Sequence, residues 1–78
     1  MPTLLDIEGF RFHFFSNEGT EPLHVHIRKG DAIAKFWLQP VRLDFSEGFN
    51  SGELRRLREL TFEHQDDFVR RWNEYFGR

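Results

Sequence analysis

Glu21-Pro22-Leu23-His24-Val25-His26-Ile27-Arg28, residues 21–28 of a 78-residue chain, is the stretch that decides the fold. Leu23, Val25 and Ile27 alternate with His24, His26 and Arg28. A β-strand therefore places three aliphatics on one face and three basic groups on the other. A helix cannot do this, because it would turn His24 and His26 about 200° apart. The preceding Asn17-Glu18-Gly19-Thr20 has the composition of a tight turn, and Pro22 suits the first residue of a strand.

The same period extends on both sides of this strand. Residues 3–8 read as a first strand carrying Leu5 and Ile7 on one face, and Gly9 marks a turn. Residues 10–15 alternate Phe10, Phe12 and Phe14 with Arg11, His13 and Phe15. Lys29-Gly30-Asp31 forms a short hairpin turn in which Gly supplies a positive φ. Residues 32–38 make a fourth strand with Ala34, Phe36 and Leu38 on one face and Ile33, Lys35 and Trp37 on the other. After Gln39-Pro40, residues 41–45 alternate once more, as a fifth strand or an extended edge segment.

From Asn50 the period changes to that of a helix. Asn50 with Glu53 forms a capping box, and Leu54, Leu57, Thr61, His64, Phe68, Trp72 and Tyr75 recur every three or four residues. At that spacing Trp72, Tyr75 and Phe76 read as core. A straight helix over residues 51–76 would span about 39 Å, twice the roughly 20 Å of a six-residue strand. A bend or break near Glu63-His64-Gln65-Asp66 is favoured, because helix formers are weakest there. The expectation is a single α+β domain over residues 1–78. It has two layers, an antiparallel sheet of four or five strands packed against a C-terminal helical region, either one long bent helix or two helices. The Phe and aliphatic face lies under the helices, and the face bearing Arg11, His13, His24, His26 and Arg28 is solvated.

Bulk composition narrows the function. Aromatics make up 17% of the chain, ten of them Phe, so rings dominate the core. A formal charge of −2 argues against non-specific binding to polyphosphate. The absence of cysteine excludes disulfides and thiolate metal sites and fits a reducing compartment. Met1-Pro2-Thr3-Leu4-Leu5-Asp6 has no signal-peptide pattern, and no apolar run approaches the roughly 20 residues that span a bilayer. A soluble, cytoplasmic protein is expected, in which a partner or a homo-oligomer would matter to the stability of so small a core.

The runs Gly9-Phe10-Arg11-Phe12, Phe15-Ser16-Asn17-Glu18-Gly19, Glu21-Pro22 and His24-Val25-His26 resemble a small prokaryotic family of unknown function. The opening Met1-Pro2-Thr3, the middle Ala34-Lys35-Phe36-Trp37-Leu38 and the tail Trp72-Asn73-Glu74-Tyr75-Phe76-Gly77 carry the likeness over nearly the whole chain. Such proteins are often predicted to be encoded beside a second small protein, in pairs resembling toxin–antitoxin operons. The resemblance implies a cognate partner protein and no established activity.

Three chemistries fit the histidine face. Two imidazoles on one strand face lie about 7 Å apart at Cα, so His24 and His26 could hold a divalent metal such as zinc, with His13 as a third ligand. The same pair could serve as the acid and base of a metal-free ribonuclease, with Arg11 or Arg28 on the phosphate. The third is recognition, with Arg11, His13, Glu21, His24, His26, Arg28 and Trp37 as a contact surface for a partner protein or RNA. The favoured function is a small interaction module, one member of a toxin–antitoxin-like pair. The alternative is a hydrolase, ribonuclease-like or metal-dependent, with His24 and His26 in its active site. Half-exposed histidines on a wet sheet face need no function at all. The basic run in residues 53–59 reads as a solvated helix face rather than a DNA-contacting helix.

Overall fold

The alternating segments pair into one antiparallel sheet, in a computed structural model that describes residues 3–16 and 18–77. The expected Met1-Pro2 opening and the Asn17 turn position fall outside the described residues. Five strands, β1 (Thr3–Ile7), β2 (Phe10–His13), β3 (His24–Lys29), β4 (Ala32–Leu38) and β5 (Val41–Glu47), lie side by side in sequence order. Short turns enforce that meander. Glu8 and Gly9 both take positive φ, 56° and 83°, as a two-residue hairpin loop of the primed type requires. Gly30, at φ 60°, opens the turn between β3 and β4.

Register decides which side chains meet. On one face Phe12 pairs with Ile27, and Ile27 with Ala34. On the other, Arg11 pairs with Arg28, His13 with His26, His26 with Lys35 and His24 with Trp37. The first face is the core. Phe12, Val25, Ile27, Ala34, Phe36 and Leu38 are buried there with Leu57, Leu60, Phe68 and Trp72 of the helices. The Phe12 and Phe68 rings lie 5.5 Å apart across the two layers.

The helical region is two helices, α1 (Ser51–Glu63) and α2 (Gln65–Phe76), with the break at His64. An unbroken helix of about 39 Å would outrun the longest dimension of the molecule, 34 Å. The capping box forms as expected. Asn50 Oδ1 accepts from the Glu53 N–H at 2.8 Å, and Glu53 Oε1 accepts from the Asn50 N–H at 3.1 Å. Asn50→Ala is therefore expected to cost about 1 kcal/mol, read as a lower urea midpoint at unchanged slope. An unmoved midpoint would mean that the box contributes nothing. Among the described residues no helix is long and apolar enough to cross a membrane.

Four expectations need correction, besides the start of β3, which falls at His24 and leaves Glu21-Pro22-Leu23 as a bend ahead of the strand. β2 stops at His13, so Phe14 and Phe15 belong to the connection that follows it. β5 runs on to Glu47 rather than ending at Phe45. Tyr75 is 46% exposed, whereas Trp72 and Phe76 on either side of it pack on the core. The fourth concerns the outer face, which is not solvated at the histidines. His24 is fully buried and His13 is buried, while His26 keeps 13% of its side chain exposed. The segment between β2 and β3 folds back across them.

Candidate functional site

Glu18 is the residue that the returning segment delivers. Its N–H donates to the Phe15 carbonyl at 3.2 Å, and its own carbonyl accepts from the Glu21 N–H at 3.1 Å. Two tight turns thereby aim the carboxylate at the start of β3. Gly19 beside it is pressed under α2, where an alanine methyl would lie 2.5 Å from Phe76 Cδ1. The ring of Phe76 thus locks the turn from behind.

Glu18 Oε1 lies 2.9 Å from His24 Nε2 and 2.8 Å from His26 Nε2. His24 Nδ1 lies 2.9 Å from the Pro22 carbonyl oxygen. A carbonyl only accepts, so Nδ1 must carry a proton and donate it. A neutral His24 then turns the bare lone pair of Nε2 toward a carboxylate, which also only accepts. Something positive, a proton or a cation, has to lie between them. His26 is not so constrained, because its Nε2–H tautomer can donate to Glu18. Among the described residues the ligand atoms of Glu18, His24 and His26 all lie within 4.8 Å of one another.

The surroundings are aromatic. His24 is flanked by Trp72 at 4.9 Å and Trp37 at 5.7 Å, and Phe15 stands edge-on to His26 at 4.5 Å. Burial holds His26 below the ordinary imidazole range, although Glu18 pulls the other way. Burial, reinforced by the neighbouring His26, likewise lowers His13. Burial would push the Glu18 carboxyl up, but the adjoining His24 and His26 imidazoles outweigh it and leave the group below its usual value.

His13 was expected as the third ligand. Its ring instead stacks on His26 at 5.7 Å, and its buried Nδ1 has no hydrogen-bond partner among the described residues. Glu18 stands in the third place. Glu21 and Trp37 belong to a separate group around Lys35, whose Nζ lies 2.8 Å from Glu21 Oε1 and 3.7 Å from Asp44 Oδ2, 4.5 Å from the centre of the Trp37 ring.

The remaining candidates come together in a cavity of about 450 Å³ on the outer face of the sheet. Arg11, His13, His26 and Arg28 line it with Phe15 and Phe45. Arg11 is loosely held by Asp6 at 3.6 Å, and Arg28 has no ionic partner among the described residues. A somewhat larger depression of about 510 Å³ runs along α1 beside Arg55, Arg58 and Phe62. It is more open and lined by solvated helix side chains with no histidine, so the outer-face cavity is the better candidate. His26 is shared between the cavity and the Glu18 cluster.

A family model described as a domain of unknown function, DUF4160, matches residues 9–73. No curated protein and no solved structure matches the chain.

Proposed function

We propose that this chain, which belongs to the DUF4160 family of domains of unknown function, is a small interaction module that grips a partner protein in its outer-face cavity. The partner would be the second member of a toxin–antitoxin-like pair. One observation carries the reading. Two arginines that are cross-strand neighbours, one of them without an ionic partner among the described residues, share a single concavity with two exposed phenylalanines, Phe15 and Phe45. Arginine and aromatic side chains together are what interface hot spots are made of. The chain as a whole is slightly acidic, at −2, and so is poorly suited to a polyanion over its full surface. A protruding partner segment with an acidic and an apolar side chain matches this pocket better.

Arg28→Glu reverses the charge at the cavity without touching the core. It is expected to weaken binding to the protein encoded beside this chain at least tenfold, or about 1.4 kcal/mol, in a calorimetric titration. Phe45→Ala should act in the same direction. Unchanged affinity in both variants would overturn the reading, and binding of RNA in place of the protein would transfer the cavity to a nucleic-acid partner.

A second reading, a metal-dependent hydrolase, is favoured by the position of His26, which reaches both the Glu18 cluster and the arginine-lined cavity. The metal-free form of that hydrolase is less well supported. His24 is fully buried and both of its nitrogens face acceptors, which leaves only His26 to exchange protons with a substrate.

A further inference from the structure

We propose that Glu18, His24 and His26 form a binding site for one divalent transition-metal ion of the zinc type. This deepens the hydrolase reading but does not depend on it, since such an ion could equally fix the turn that carries Glu18. The argument rests on donor chemistry and placement. His24 donates Nδ1–H to the Pro22 carbonyl, the arrangement in which a metal-bound imidazole is usually held, with Nε2 left as the ligand atom. That nitrogen has no exposure to water, and among the described residues the group it faces at hydrogen-bond distance is the Glu18 carboxylate. A cation between them satisfies both lone pairs at once. A proton there would instead make a buried imidazolium–carboxylate pair, whose desolvation offsets much of its attraction.

The side chains have to adjust in two directions to hold an ion. Tetrahedral bonds of about 2.0–2.1 Å separate ligand atoms by roughly 3.3 Å. The separations of 2.8 Å and 2.9 Å at Glu18 Oε1 would have to open by about half an ångström, and the outermost ligand atoms, up to 4.8 Å apart, would have to close by up to about 1.5 Å. Two strand residues at i and i+2 and a side chain on a turn can provide that movement without shifting the backbone pairing. Two imidazoles and one carboxylate suit zinc, cobalt or iron(II), whereas calcium and magnesium prefer all-oxygen sites. Three protein donors leave a position for water or for a donor from a bound molecule. The nearby positive charge of Lys35 is no obstacle, because Glu21 and Asp44 already neutralise it.

The test uses the full chain, freed of metal by a chelator, titrated with zinc chloride and separately with cobalt chloride. One saturable equivalent is expected, with a visible cobalt spectrum of nitrogen and oxygen ligation. Zinc at about a hundredfold above its Kd should raise the melting temperature by roughly 10 °C or more. Glu18→Gln keeps an oxygen that can accept from His26 Nε2–H but removes the charge, and should weaken binding at least tenfold. His26→Gln should do the same, while His64→Ala should change nothing. His24 is left intact because its ring belongs to the packed interior. Ring-proton signals in the wild-type chain provide a readout that needs no variant. Those of His24 and His26 should shift on zinc addition, and those of His64 should not. Absence of saturable binding, equal affinity in wild type and both variants, or shifts confined to His13 or His64 would each overturn the site.

Discussion

Trp72→Ala is expected to cost about 3–5 kcal/mol, at the top of the range for a single side chain. Trp72 is fully buried, with Phe76 at 4.3 Å, Phe14 at 4.9 Å and His24 at 4.9 Å between ring centres. Its Nε1 has no hydrogen-bond partner among the described residues, so the cost is lost apolar contact and the cavity left behind. A domain of this length holds only about 4–12 kcal/mol in total. The melting temperature should therefore fall by roughly 12 °C or more, measured by circular dichroism. A fall under about 5 °C would mean that α2 does not pack where it is described. Trp72→Phe, which keeps most of the ring volume, should lose much less.

His24→Ala should cost nearly as much, about 3–5 kcal/mol. Deleting the ring strands the Pro22 carbonyl, leaves the Glu18 carboxylate with His26 alone, and opens a gap between Trp72 and Trp37. His26→Ala should cost distinctly less, because that side chain still reaches water. Urea titrations of the two single variants check the order. Equal small losses of under about 1 kcal/mol, the range of surface substitutions, would return both histidines to a solvated face.

That last outcome is what the sequence alone leads one to expect, and the reason it misleads is physical. Alternation of Leu23, Val25 and Ile27 with His24, His26 and Arg28 reports which face a side chain takes, not how deeply the face is covered. Depth at His24 comes from Glu18 and Pro22 in the irregular connection after β2 and from Trp72 of α2. Glu18 was missed for the same reason. Nothing in a turn marks one carboxylate as aimed and another as free, although an acidic residue six and eight positions before a His-x-His pair was a signal worth following. Tyr75 keeps the helical stripe but stays half exposed while Phe76 takes the place on the core, so spacing alone misplaced it. What was legible was local. The strand period, the Gly9 and Gly30 turns and the Asn50–Glu53 cap each fix a few residues through their own chemistry, and short connections then leave little choice but a meander. The break at His64 was readable too, because an unbroken helix is too long for the sheet it covers.

The central claim is that Glu18, His24 and His26 converge on one cation. An anomalous difference map from crystals of the chain grown with zinc tests it most directly. The account predicts a single strong peak about 2.0–2.2 Å from His24 Nε2, His26 Nε2 and a Glu18 carboxylate oxygen, with His24 Nδ1 still on the Pro22 carbonyl. A map with no peak there, and Glu18 still hydrogen-bonded directly to His24, would contradict it.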